Sequence, residues 1–210
     1  MRPLPRLHAC TDARVLGLEG FAVRAAAIAA AGPGVALHAR NRTATAAELT
    51  RITQRLIALA RPPQASVFVN ARPDIAGALQ AQGLQLGRGD LPADDVRSAF
   101  GDTWKGWIGV SVHSVAEVGE AWTAGADFLM VGNVYETPSH PGRPAAGPDL
   151  VAQLAQGRLP VIAIGGITPE RALEMRRAGA YGVAVISALW DADDPAAAAV
   201  RFLQVWDEVS

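Results

Sequence analysis

Short apolar runs recur along the chain, and each gives way to a stretch with helical periodicity. The runs predict strands over Leu7–Cys10, Gly34–His38, Ser66–Asn70, Gly83–Leu86, Trp107–Val112, Asp127–Val131, Val161–Ile164 and Gly182–Ile186. Their continuous apolar character, as in Ile108-Gly-Val-Ser-Val112, suits parallel strands buried on both faces. Between them the pattern predicts helices over Gly20–Ala31, Ala44–Ala60, Asp74–Gln82, Val115–Ala124, Leu150–Gln156, Pro169–Ala178 and Pro195–Glu208. Phe21 to Ala30 is almost wholly apolar and alanine-rich, so this helix is packed on more than one side or lies at an interface, which is compatible with a homo-oligomer. Ser114-Val-Ala-Glu117 has the spacing of a capping box. Pro92–Lys105 is weaker and predicts a single helical turn and a loop.

Strand–helix alternation repeated eight times without a Pro/Gly/Ser linker predicts one α/β domain over residues 1–210, a (β/α)8 TIM barrel. The competing architecture is a doubly wound sheet. That fold carries its glycine-rich turn after the first strand, whereas here the glycine-rich strand ends come late, in Pro160-Val-Ile-Ala-Ile-Gly-Gly-Ile-Thr-Pro169 and Gly182-Val-Ala-Val-Ile-Ser187. Gly165 and Gly166 let backbone N–H groups approach a ligand. Thr168 suits the N-cap and Pro169 the first helical position. Two neighbouring junctions of this kind, formed by Gly165, Gly166, Ile186 and Ser187, suit the phosphate site of a barrel after strands seven and eight. Gly-Gly as a tight connection alone is the plain alternative.

Composition narrows the class. Half of the 210 residues are hydrophobic, yet no run reaches the ~18 uncharged apolar residues of a membrane span. The stretch Met1 to Leu7 lacks the pattern of a signal peptide. Cys10 is the single cysteine, which excludes an internal disulfide and a cysteine-based zinc site and suits a reducing cytoplasm. A net charge of −1 with no basic block argues against nucleic acid as a partner.

In a barrel the chemistry belongs to the C-terminal strand ends and the loops that follow. Those positions carry Thr11, Asp12, His38, Arg40, Arg42, Asn70, Arg72, Gln85, Arg88, Asp90, Ser111, His113 and then Gly132, Asn133, Glu136, Thr137 and His140. Arg40 and Arg42, two apart on extended chain, can share a face and suit an anionic group; a pair of ordinary surface arginines is the alternative. His113 closes a strand ahead of a helix N-terminus, a setting for a neutral acid/base. His38 and His140 are weaker candidates, and His8 reads as part of the fold. Asp12, Asp90 and Glu136 match no dedicated metal motif, Ser111 lacks a nucleophile-elbow context, and no metal or cofactor is expected.

Leu7-His-Ala-Cys-Thr-Asp12, Asn70-Ala-Arg-Pro-Asp-Ile-Ala76, Gly109-Val-Ser-Val-His-Ser114 and the two glycine-rich junctions together resemble the thiamin phosphate synthase/TenI superfamily over nearly the whole chain. The resemblance implies a barrel of thiamin biosynthesis that acts on a small phosphorylated thiazole. Two activities divide the superfamily. The synthase joins a pyrimidine pyrophosphate to a thiazole phosphate and implies Mg²⁺ held by one Asp after the strand-three Asn and another after strand four, with Q-x-R-x-K at strand two and a Lys in the loop after strand six. Here those places hold Ala71, Asp90, His38 with Arg42, and His140. The thiazole tautomerase implies no metal; His38-Ala-Arg-Asn-Arg42 and Gly132-Asn-Val-Tyr-Glu-Thr137 look closer to its blocks, although Asn133 departs. The expectation is therefore an isomerase with His113 as the acid/base. Arg40, Arg42, Asn70, Ser111, Gly132, Asn133, Glu136 and Thr137 would bind the substrate, and Gly165, Gly166, Ile186 and Ser187 its phosphate. A synthase requiring Mg²⁺ and a non-catalytic binder of the thiazole or of thiamin phosphate are the alternatives.

Overall fold

A computed structural model describes residues 3–62, 64–137, 142 and 144–206. Eight parallel strands close on themselves: β1 (Leu7–Cys10), β2 (Val35–Ala39), β3 (Ser66–Asn70), β4 (Gly83–Leu86), β5 (Trp107–Val112), β6 (Phe128–Val131), β7 (Val161–Ile164) and β8 (Gly182–Val185). Closure is visible at Leu7, which pairs with Val35 of β2 on one side and Val183 of β8 on the other. The predicted TIM barrel is the observed fold. Five strands have the predicted bounds; the other three differ by a residue at one or both ends.

The helices are α1 (Ala13–Leu16), α2 (Phe21–Ala29), α3 (Ala46–Ala60), α4 (Pro73–Ala78), α5 (Ala93–Phe100), α6 (Ala116–Thr123), α7 (Gly147–Ala155), α8 (Pro169–Arg177), α9 (Ser187–Trp190) and α10 (Pro195–Gln204). The weak segment after Pro92 is two turns of helix and a 3-10 turn rather than one turn and a loop. Its acidic first turn, Asp94 and Asp95, favours the positive end of the helix dipole. The apolar α2 packs between α3 and α10, which accounts for its composition within one chain. A capping box does occur, at Thr45 and Glu48 of α3, and not at Ser114. No described helix is long and apolar enough to cross a membrane.

Alternate strand residues divide between two cores, as the period of two requires. Outward-facing Leu7, Leu37, Val67, Val69, Leu84 and Ile108 join the helices in one large cluster. Inward-facing Cys10, Ala36, Phe68, Phe128, Met130, Ile162 and Ala184 fill the barrel. The two phenylalanine rings need room. A Cβ on Gly83 would lie 2.1 Å from the Phe68 ring, and one on Gly109 2.1 Å from Phe128, so glycine on the neighbouring strand is what admits each ring.

His8 and His38 share that interior with no exposure at all. The His38 ring stacks on Phe68 with centroids 5.1 Å apart, and His8 meets the same ring edge-on at 5.3 Å. His8 thus belongs to the fold, as its position in β1 suggests, and His38 belongs with it.

Candidate active site

Strand ends at the C-terminal mouth of the barrel build the site. Thr11, just past β1, is fully buried; its hydroxyl lies 2.8 Å from the His38 carbonyl and accepts the Arg40 N–H at 3.0 Å. This ties the exit of β2 to β1 and fixes the segment that carries Arg40 and Arg42. Both arginines line a cleft of about 760 Å³, together with Asn70 from β3, Ser111 from β5 and His113 just beyond it. A narrower recess of about 120 Å³ shares these walls and continues inward past Gly132 and Asn133 to Gly165. Eight of the predicted site residues therefore meet around one opening.

The others are placed differently. Gly166, Ile186 and Ser187 stand at the adjoining ends of β7 and β8 but are not among the described residues that line the cleft. Glu136 is exposed and Thr137 half-buried on the loop after β6; His140 lies outside the described residues. Asp12 caps α1, its carboxylate accepting the Val15 N–H at 2.8 Å. Arg72 turns to Asp74. Gln85 at the end of β4 and Arg88 and Asp90 beyond it also line the cleft; the resemblance gives only Asp90 a place, in the metal pair.

Several polar groups beside β5 have definite partners, although the buried Gln85 Oε1 has none among the described residues. Gln85 Nε2 donates to the Ser111 hydroxyl at 3.1 Å and to the Leu86 carbonyl at 3.1 Å. The His113 ring is 41% exposed, with Nδ1 3.5 Å from Glu117 Oε2, and the same oxygen accepts the His113 backbone N–H at 2.8 Å. Arg88 holds the other oxygen of Glu117. Partial burial works against the Glu117 charge, but the His113 N–H and the Arg88 guanidinium together hold its carboxyl below the usual range. Drawn to these two residues, Glu117 does not cap α6, whose N-cap residue Val115 makes no side-chain bond.

The glycine-rich junction has the predicted local form. Gly165 and Gly166 take positive φ angles of 105° and 65°, which side-chain-bearing residues adopt only with strain. Thr168 caps α8 through the Arg171 N–H at 3.3 Å, and Pro169 opens the helix. The loop after β6 lies directly on this turn. Val134 and Tyr135 donate to the carbonyls of Ile164 and Gly165 at 2.9 and 3.1 Å. A Cβ on Gly165 would come within 2.7 Å of Asn133 Cα, and one on Gly132 within 2.3 Å of the Ile164 carbonyl oxygen. Arg171 braces the assembly by donating to the Gly166 carbonyl at 2.6 Å while its guanidinium stacks on Tyr135 at 4.2 Å.

The resemblance implies a magnesium ion between two carboxylates, and the residues present do not supply that pair. Ala71 occupies one place. At the other, Asp90 Oδ2 accepts the Gly87 N–H at 2.7 Å. Among the described residues no three His, Cys, Asp or Glu side chains cluster as a metal site. Guanidinium groups dominate the cleft instead: among the described lining residues Arg40, Arg42 and Arg88 stand against the carboxylate of Asp90, an arrangement that favours anions.

A family model described as thiamine monophosphate synthase matches residues 7–189. This chain belongs to the thiamine monophosphate synthase family. Among family members, the thiamine-phosphate synthase of Roseiflexus sp. (strain RS-1) is 37% identical over 194 residues, covering 91% of this chain and 81% of that protein. That of Haloarcula marismortui is 43% identical over 173 residues, covering 80% and 81%. Among solved structures, thiamine phosphate pyrophosphorylase from Pyrococcus furiosus superposes with a TM-score of 0.79 at 31% identity, covering 97% of this chain and 96% of that one.

These relatives overturn the isomerase expectation, because the named activity they share is the synthase, a transferase. The structure gives the reason for the misreading. The likeness to a tautomerase rested on two motif blocks and on Ala71 in place of a metal-binding Asp, and in the first block His38 lies inside the barrel, where it packs on Phe68 and bonds His8 and Asn70. His38 is therefore not itself a rim residue.

Proposed function

We propose that this member of the family is a thiamine-phosphate synthase, a transferase that joins a pyrimidine, carried as its pyrophosphate, to a thiazole phosphate. The observation that carries the reading is a single opening with arginines on one wall and the glycine-turned end of β7 at the other, room for two anionic substrates to meet. The identity to named synthases supports it.

In this reaction the thiazole nitrogen attacks the carbon that bears the pyrophosphate. A C–N bond forms, the C–O bond breaks, and the electron pair departs on the pyrophosphate oxygen. Arg40 and Arg42 are the groups suited to hold that leaving anion, with Arg88, already bound to Glu117, behind them. An aromatic nitrogen attacks through its lone pair, so no proton has to be taken from the nucleophile. His113 is then a residue that binds or orients, and not the general base of an isomerase. The phosphate of the thiazole belongs on Gly165 and Gly166 with the adjoining Ile186 and Ser187. A lone cysteine, buried so that its thiol is pushed up to about 12, is compatible with work in the cytoplasm.

The test is to incubate the purified protein with both substrates, with and without Mg²⁺, and to measure thiamin phosphate and released pyrophosphate. Stoichiometric formation of both products supports the reading. Absence of thiamin phosphate under either condition, with both substrates bound, overturns it.

A further inference from the structure

We infer that His8 and His38 are a positioning pair for Asn70, a buried chain anchored on a backbone carbonyl that turns the Asn70 carbonyl oxygen into the cleft. Its direction follows from counting hydrogens. The chain begins at the Pro5 carbonyl, which can only accept, so His8 Nε2, 3.0 Å away, carries a hydrogen. A neutral ring then has a bare Nδ1, which lies 2.8 Å from His38 Nε2, and His38 must donate there. That leaves His38 Nδ1 bare in turn, 3.0 Å from the terminal Asn70 amide atom labelled Oδ1. The oxygen and nitrogen of an amide are told apart by what they bond, and a bare ring nitrogen needs a donor. The amide nitrogen therefore belongs against His38, and the oxygen belongs on the side of Asn70 that lines the cleft.

The opposite arrangement would need a second proton on one of the two rings, on His38 or on His8. Either cation would sit fully buried against Phe68. Burial, reinforced by Arg40, pushes His38 down to about 4, and His8 lies well below the usual histidine range for the same first reason, reinforced by His38. Near neutrality both rings are uncharged.

The consequence concerns what the cleft can recognise. An amide oxygen accepts; it repels phosphate oxygens and selects an N–H donor. Resting on the synthase reading, the ligand group is an amino substituent on the pyrimidine, held on the floor of the cleft while the pyrophosphate meets the arginines.

The first arm of the test is independent of that reading. In protein labelled with ¹⁵N-histidine, the ring resonances at pH 7 should show both His8 and His38 as neutral Nε2–H tautomers. A doubly protonated or Nδ1–H His38 would overturn the assignment. The second arm is kinetic. His38→Phe should raise KM for an aminopyrimidine pyrophosphate about tenfold, with KM for thiazole phosphate unchanged. His38→Gln, whose carbonyl can again accept from the Asn70 amide, should restore it. A fall in Tm without that split between substrates would reduce the pair to a structural role and overturn the inference. If the wild-type protein makes no thiamin phosphate, the synthase reading fails while the resonances still decide the orientation of Asn70.

Discussion

Acid should destabilise this barrel from within. His38 takes up a proton at about 4 when folded, against 6.5 for an unperturbed side chain, because burial penalises its charge first and Arg40 adds to that. Between these values the unfolded chain binds more protons than the native one. Stability from this group is thus fully present above about pH 6.5 and is lost as the pH falls toward 4. The whole shift corresponds to roughly 3 kcal/mol, of which about 2 kcal/mol is lost between pH 7 and pH 5. His8 is displaced in the same direction and adds to the loss. Urea unfolding, followed by the fluorescence of the buried Trp104 and Trp190, should show the fall between pH 7 and pH 5. Stopping at pH 5 keeps carboxylates such as Glu117, whose pKa is lowered, ionised in the native state. The double variant His8→Leu/His38→Leu supplies the comparison. If it loses as much stability as the wild type over this window, the buried histidines are not the cause and the reasoning is wrong.

Three further outcomes test the mouth of the barrel. Gly166→Ala places a side chain at φ 65° with its Cβ 2.7 Å from the Glu136 carbonyl oxygen; the left-handed conformation alone costs about 1–2 kcal/mol, so calorimetry should show a clear drop in Tm and kinetics a raised KM for thiazole phosphate. Arg40→Ala removes a guanidinium from the cleft wall and should weaken binding of the pyrimidine pyrophosphate by about 2 kcal/mol; titration calorimetry reads this directly, with thiazole phosphate affinity as the internal control. Ala71→Asp should be accommodated within about 0.5 kcal/mol, because Ala71 has φ 62°, a conformation aspartate tolerates better than alanine. It faces the same cleft as Asp90, and Mg²⁺ titration should then show a site tighter than in the wild type.

The barrel was legible because parallel strands buried on both faces read as unbroken apolar runs, and those runs gave the bounds of β1, β3, β4, β5 and β7. The short α1 and α9 were not, since four residues such as Ala13–Leu16 carry no helical period. The capping box at Ser114 failed for a reason outside local sequence, the pull of His113 and Arg88 on Glu117. Much of the site was legible through its position at strand ends, which is how Arg40, Asn70, Ser111, His113 and Gly165 came to one cleft. His38 shows the limit. In a strand buried on both faces the apolar pattern does not say which side points into the barrel. A histidine two residues before Arg40 therefore looks like part of the mouth when it is part of the filling.

The contact between the loop after β6 and the turn after β7 ties their motions together. Gly132 lies against Ile164, Gly165 against Asn133 and Gly166 against Tyr135 and Glu136, with no room for a side chain between them. The two backbone bonds from Val134 and Tyr135 should open in one event. Native-state hydrogen exchange would then give both amides one opening free energy. The recess that ends at Gly165 would be formed and dismantled as a unit, and a ligand seated on one strand end would quieten the loop of its neighbour.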